Sequence, residues 1–174
     1  MNNSPGEANL AALLKSPEFQ TMFTERASAH GDIGIELVDS ADQQISMRLP
    51  FNNALTRSKT NPSLHPGAVM TVIDSAMGLA VMMNLSEPSS LATLELRYDE
   101  LREPQPHSDL MITAQCESID DRIAYLTASA VDGEGEFARA VGRFILTGAA
   151  SGFLEQAYAM LAERQLQAGI ADDV

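Results

Sequence analysis

The segment from Pro66 to Leu85 is the longest apolar stretch of the chain, and it constrains the fold more than any other feature. Its length approaches the roughly 20 residues that a helix needs to cross a bilayer. The segment carries the polar residues Thr71, Asp74 and Ser75, however, and it stands alone in the sequence, which favours a buried helix over a membrane span. Pro66 is suited to the first position of that helix. We therefore expect a domain built around one long core helix.

Asp74 is the one charged residue between His65 and Glu87, and apolar side chains surround it on every side of the predicted helix. This pattern predicts a helix that is buried all round. A buried carboxylate is costly unless it is hydrogen-bonded, paired or protonated, so an acid at this position requires a physical reason. A structural aspartate bonded to Thr71, to Ser75 or to a backbone amide explains the pattern as well as a catalytic aspartate does.

A helix, a hairpin and a loop are predicted before the central helix. Ser16, Pro17 and Glu18 are the N-cap, first-turn and dipole-matching residues of a helix start, and Gly31 is the predicted end of that helix. Turn-forming residues at 39–42 separate two strands, 34–38 and 44–49, which should pair as a hairpin. The polar stretch 50–64 is predicted to be a long loop that leads into the central helix.

Antiparallel strands are predicted after the central helix. In the first, side chains alternate, so even-numbered residues from Leu94 to Tyr98 should face one way and odd-numbered residues from Thr93 to Arg97 the other. Three further strands are predicted at 110–117, 123–131 and 137–147, with hairpin turns at 120–121 and 132–133. Ser151 then caps a final helix that carries an apolar stripe.

The order of these elements predicts an α+β fold in which one antiparallel sheet packs against one long central helix, with extra helices at both ends. No internal repeat or linker divides the sequence. We expect a single domain over 1–174, with its core at about 32–148, an N-terminal helical extension at 7–30 and a C-terminal helix at 152–166.

Composition narrows the partners that the protein can bind. The formal net charge of -13 disfavours nucleic acid and anionic membranes, and an anionic ligand would need a local basic patch or a helix N-terminus. The single Cys116 excludes an intrachain disulfide, and the N-terminus lacks the pattern of a signal peptide, so we expect a cytoplasmic protein. Phosphate-binding glycine loops, clustered metal ligands and a serine-hydrolase order of residues are missing, and we expect no metal and no cofactor.

The residues around the start of the central helix resemble a known family. Leu64-His65-Pro66-Gly67, followed by apolar residues and Asp74-Ser75-Ala76, is similar to the central helix of the phenylacetate-type (PaaI-like) hotdog thioesterases, where His-Gly-Gly precedes an apolar stretch and an Asp. The strand at 93–98 and Gly142-Arg143-Phe144 resemble later strands of that family, so the similarity covers about 32–147. The resemblance implies a hotdog fold, hydrolysis of an acyl-CoA to free acid and CoA, and a homodimer that could pair into a homotetramer.

By this resemblance Asp74 is the nucleophile or the general base for water, and Thr93 helps to position that water. The helix start at His65 would supply oxyanion donors. Asp74 lies nine residues further along, or about 13 Å on a helix, so the two parts should act on one carbonyl only across a dimer interface. Pro66 departs from the family pattern because it has no amide hydrogen. Gly67 could donate instead, the substrate could sit one residue deeper, and His65 could help to bind the carbonyl.

Other candidate binding residues rest on weaker patterns. Asn61 lies in the loop before the helix, where family members carry an asparagine. Five arginines are candidates for the CoA phosphates, with Arg122 and Arg143 ranked first; the others are Arg97, Arg102 and Arg139. Two alternatives stay open. One is a non-catalytic hotdog protein that binds acyl-CoA, which Pro66 favours, and the other is a hotdog dehydratase or hydratase with His65 as a proton shuttle.

Overall fold

The computed structural model describes residues 16–26, 28–41, 44–85 and 89–149, together with 152, 155, 156, 159, 160 and 163. Its helices and strands follow in chain order: α1 Pro17–Arg26, α2 Ser28–Ile33, β1 Glu36–Ala41, β2 Gln44–Leu49, a 3-10 helix Asn53–Leu55, β3 Thr56–Ser58, β4 Asn61–Leu64, α3 Pro66–Met83, β5 Ser89–Glu100, β6 Leu110–Asp120, β7 Ile123–Asp132 and β8 Gly135–Ala149. A six-stranded antiparallel sheet has the order β1-β2-β6-β7-β8-β5, and β3 pairs with β4. One long helix against one antiparallel sheet is the predicted α+β hotdog architecture, which is confirmed.

The central helix α3 begins at Pro66, as predicted, and His65 is its N-cap. With a mean hydropathy of 1.5 it is long and apolar enough to cross a membrane, but its apolar side chains form the core under the sheet. The prediction that it is buried all round is wrong. Gly67, Thr71, Asp74 and Gly78 lie on a stripe that is partly or fully exposed, and they recur at helical spacing. We call these residues the open stripe of α3.

The N-terminal helix starts as predicted but ends elsewhere. The Ser16 hydroxyl accepts a hydrogen bond from the Phe19 amide at 3.2 Å, which is the geometry of an N-cap. Gly31 does not end the helical region, because it lies inside α2. The chain leaves α2 at Gly34, whose φ of 80° lies in the left-handed region that glycine tolerates.

The two segments before α3 differ in part from prediction. β1 runs through the expected turn residues up to Ala41, which pairs with Gln44, and an irregularity between Leu37 and Asp39 accompanies this longer strand. Residues 42 and 43 lie outside the described part. The stretch 50–64 is not a plain loop. It forms the 3-10 helix and the β3–β4 hairpin, and the amide of His65 donates to the Leu55 carbonyl at 2.8 Å, which ties this hairpin to the start of α3.

β5 does not alternate as predicted, because its pairing with β8 shifts between Thr93 and Glu95. Beyond the shift, Glu95 pairs with Arg143 on the outer face of the sheet, while Thr93 pairs with the buried Phe144 on the face toward α3. A β-bulge re-aims side chains in this way. Thr93 therefore faces the helix, and Leu94, predicted to share a face with Leu96 and Tyr98, is 55% exposed.

The last three strands match prediction closely. β6 and β7 meet at a two-residue turn in which Asp121 has a positive φ, and a second two-residue turn joins β7 to β8. Ser151 and most of the predicted C-terminal helix lie outside the described residues, although 155, 156, 159, 160 and 163 are helical. The single domain and its boundaries stay predictions.

Candidate active site

Asp74 and Thr93 form a hydrogen-bonded pair on the open stripe of α3. The Thr93 hydroxyl donates to Asp74 Oδ1 at 2.7 Å, a short distance typical of a bond to a carboxylate. Helical spacing places Asp74 on the open stripe, and the bulge in β5 turns Thr93 toward it. The sequence suggested both residues, and the structure brings them together.

The hydroxyls of Thr71 and Ser75, predicted as possible structural partners of Asp74, do not bond to it. Thr71 Oγ1 donates to the Gly67 carbonyl at 2.9 Å, and Ser75 Oγ donates to the Thr71 carbonyl at 2.8 Å. Both bonds run back along the helix, as serine and threonine side chains often do. The described partner of Asp74 is thus Thr93, a residue of the neighbouring edge strand.

His30 is a residue of this region that the sequence did not single out. Its Nε2 lies 2.8 Å from the Ser75 hydroxyl, and its ring stacks on Phe23 with centroids 4.4 Å apart. Burial lowers the pKa of His30, while the backbone of Phe23 and the charge of Asp74 act in the opposite direction. The contact joins residues 45 apart in sequence, so no local motif could have revealed it.

The first backbone amides of α3 already donate hydrogen bonds within the chain. Pro66 has no amide hydrogen, and the Gly67 amide donates to Nδ1 of His65 at 3.0 Å. The Ala68 amide donates to the His65 carbonyl at 3.0 Å. Because Nδ1 accepts, the neutral His65 ring carries its hydrogen on Nε2. Among the first three residues of the helix, therefore, no backbone amide is left for a ligand while His65 keeps this rotamer.

A cavity of about 350 Å³ opens beside this helix start. Its walls combine aliphatic side chains with a few polar groups, the composition of a small-molecule site. The lining residues are Ile33, Ala54, Leu55, Thr56, His65, Gly67, Ala68 and Thr71. Asp74 does not line this cavity. Within one chain, therefore, the start of α3 and the Asp74 carboxylate lie apart.

The predicted binding residues Asn61, Arg122 and Arg143 lie in three different environments. Asn61 Nδ2 donates to Glu103 at 2.6 Å, and its Oδ1 accepts from the Ser63 amide and hydroxyl, so its side chain serves the β3–β4 hairpin. Arg143 forms an ion pair with Glu95 across β5 and β8. Arg122 Nε donates to the Leu146 carbonyl at 3.0 Å.

Carboxylates hold most of the other arginines. Among those whose side chains the structure describes, every arginine except Arg122 has an ion-pair partner: Arg48, Arg57, Arg97, Arg102, Arg139 and Arg143.

The described residues include no group of three or more histidines, cysteines or acids that could hold a metal ion. Burial raises the pKa of the Cys116 thiol, which makes this cysteine a poor nucleophile.

An antiparallel sheet around one long helix is the hotdog fold, and in this chain an acid and a hydroxyl are paired on the open side of that helix. Residues 61–138, from the β3–β4 hairpin through Asp74 and Thr93 into β8, match the model of the thioesterase superfamily. This segment is similar to that superfamily, which confirms the resemblance predicted from the central helix.

Individual proteins are also similar to this chain in sequence or in fold. A Halobacterium salinarum protein whose name proposes an esterase is 33% identical over 73 residues, or 40% of this chain, and the match spans 48% of that relative's length. A Haemophilus influenzae thioesterase has the same fold, with a TM-score of 0.67 and 15% identity over 76% of this chain and 90% of the other. Escherichia coli PaaI, from the phenylacetic acid degradation operon, has a TM-score of 0.63 and 15% identity over 78% of this chain and 99% of the other. At such identities the two structures show the fold alone.

Proposed function

We propose that this protein is a cytoplasmic acyl-CoA thioesterase in which Asp74 acts as the nucleophile or as the general base for water. The observation that carries the proposal is the Thr93–Asp74 hydrogen bond on the open stripe of α3. A carboxylate can act as a nucleophile or as the general base for water, and a thioester requires an activated nucleophile. The superfamily match and the esterase-like relative support hydrolysis in general.

Thr93 would set the direction of attack. Its hydroxyl hydrogen is given to Asp74 Oδ1, so the hydroxyl oxygen keeps lone pairs that can accept a hydrogen from water. The same bond holds the carboxylate in one rotamer and leaves Oδ2 to take the proton. Thr93 would therefore position both the base and the water.

We propose that the site is completed by a second copy of the chain. β5 is an edge strand of 12 residues with the exposed Leu94, and no described strand pairs with its outer side. An unpaired edge of this length is a ready surface for strand pairing. Pairing of two β5 strands about a two-fold axis would extend the sheet and bring the open stripes of two α3 helices together. The Asp74 of one copy could then face the helix entrance of the other. Such dimers could pair further into a homotetramer.

His65 is the best candidate for the missing oxyanion donor. Its Nδ1 is held by the Gly67 amide, so its Nε2–H is the group that this exposed residue can offer to a carbonyl at the cavity. Rotation of His65 would instead release the Gly67 amide as a donor. For the CoA phosphates, Arg122 is the stronger candidate of the two ranked first, because Glu95 already neutralises Arg143.

A binding protein without catalysis is the second candidate, and one observation favours it. Pro66 lacks an amide hydrogen, and the next amide, that of Gly67, is already bonded. An oxyanion without a donor would cost about a hundredfold or more in rate. A Pro66→Gly variant adds one amide at the helix start, so a large gain in thiol release would show that this donor limits the wild type.

The proposal is tested by thiol release from a panel of acyl-CoAs. We expect Asp74→Asn and Asp74→Ala to lose about a hundredfold or more of the activity. The matched control is Glu117→Gln, because Glu117 accepts a similar hydrogen bond from Thr127 at 2.6 Å on the opposite face of the sheet. Wild-type protein that binds acyl-CoA without releasing thiol would favour the binding protein. Hydration of an enoyl-CoA without thiol release would favour the dehydratase or hydratase.

A further inference from the structure

Helix α2 contacts both parts of the candidate site. Its last residue, Ile33, lines the cavity at the start of α3. One turn earlier, His30 lies 2.8 Å from the hydroxyl of Ser75, the residue that follows Asp74. The proposed reaction uses neither His30 nor Ser75, so their contact calls for a separate explanation.

We propose that His30 is a positioning residue, which acts through Ser75 to fix the orientation of the helix turn that carries Asp74. The inference rests on the proposed role of Asp74 and adds a residue that holds the turn on which Asp74 lies. Successive residues of a helix are about 100° apart around its axis, so a rotation that moves Ser75 also moves Asp74 relative to Thr93. A bond at Ser75 therefore limits this rotation.

Both residues of the His30–Ser75 contact are held in place by further contacts. Ser75 Oγ donates its single hydrogen to the Thr71 carbonyl at 2.8 Å, so the hydroxyl oxygen is free to accept from His30 Nε2. The His30 ring is itself immobilised, since it stacks on Phe23 with an interplanar angle of 29°, and Phe23 is 2% exposed. Ser75 is therefore held by its bond to Thr71 within α3, and His30 is held by its stacking on Phe23 of α1.

Electrostatics connect His30 to Asp74 directly. Asp74 is the charged group of α3 that acts on the ring, and its charge favours the protonated imidazole. From α1, the backbone of Phe23 acts in the same direction, although Nδ1 makes no hydrogen bond of normal geometry with the described residues. Burial outweighs both effects and keeps the pKa of His30 below its ordinary value of 6.5. His30 is therefore neutral at pH 7 and donates one hydrogen bond.

The first test is kinetic and uses a double-mutant cycle. Loss of one such hydrogen bond should lower kcat about tenfold in His30→Ala and in Ser75→Ala, with KM changed less than about threefold. The double variant should be no slower than Ser75→Ala, because that single variant already removes the bond to His30. His30→Gln, which can still donate, should recover most of kcat. The matched control is His107→Asn, whose ring contacts Phe51. Wild-type kcat in both alanine variants, or losses that multiply in the double variant, would overturn the proposal.

The second test does not depend on activity. An NMR titration of the imidazole signals should place the pKa of His30 below 6.5, and Asp74→Asn should lower it further because the favourable charge is lost. An unchanged pKa in Asp74→Asn would overturn the coupling even if the enzyme is active. If the wild type releases no thiol but this shift appears, the proposed function fails and the contact between His30 and the Asp74 turn stands.

Discussion

Removal of the Thr93 hydroxyl tests how the carboxylate of Asp74 is held. Thr93→Val keeps the shape of the side chain and deletes the 2.7 Å hydrogen bond to Asp74 Oδ1. A hydrogen bond to a charged group contributes about 1.5–3 kcal/mol, and partial exposure of both partners places this one at the lower end. About 1.5 kcal/mol corresponds to roughly a tenfold loss of rate. We expect the loss in kcat, because the bond orients the base and not the acyl group.

The assay is thiol release at saturating acyl-CoA, with Thr93→Ser as the variant that keeps the hydroxyl. Thr93→Ser should stay within about threefold of the wild type, since serine can make the same bond. The matched control is Thr127→Val, which deletes the bond from Thr127 to Glu117 away from α3. A Thr93→Val enzyme with wild-type kcat, or one that loses as much as Asp74→Asn, would refute the reasoning.

Two further predictions concern stability. A Cβ on Gly142 would lie 2.7 Å from the sulfur of Met77, which is fully buried and therefore has little space to move. Gly142→Ala should cost about 1–3 kcal/mol and lower Tm by several degrees in calorimetry, whereas Gly133→Ala, where a Cβ meets nothing within 4 Å, should leave Tm unchanged. Hydrogen bonds from Arg102 hold the pKa of Asp132 well below its ordinary 3.8. This stabilisation is present above pH 4 and is lost as the pH falls further, so urea unfolding should show a steeper acid loss for the wild type than for Asp132→Asn.

The fold could be predicted because its strongest signals are local. Pro66 marks the start of α3, and the aspartates and glycines between the last strands mark two-residue turns that the structure confirms. The hairpin β3–β4 was missed since its strands are 3 and 4 residues long and lack an alternating pattern. Short strands of this kind are defined by what they pack against, in this case the start of the central helix.

The candidate site was harder to predict, because its geometry depends on register and on contacts distant in sequence. Strict alternation places Thr93 on the face opposite to Leu96, and the irregularity before Glu95 reverses this. The resemblance predicted that Thr93 positions the attacking water, whereas periodicity alone turns Thr93 away from α3; the structure places its hydroxyl 2.7 Å from Asp74 Oδ1. His30 had no signal at all, since its contact depends on how α2 packs on α3.

The open stripe of α3 explains why a helix with this composition does not bury its acid. Gly67, Thr71, Asp74 and Gly78 recur at intervals of three or four residues, so small and polar side chains follow one line along an otherwise apolar helix. Such a line contributes little to a hydrophobic core, and the apolar faces of the helix pack into the core with the sheet and the N-terminal helices instead. The stripe lies beside the edge strand β5, where Thr93 reaches Asp74. Among the residues that the structure describes, the carboxylate thus lies where the packing of one chain is incomplete, and this is the physical reason to expect that a second chain completes the site.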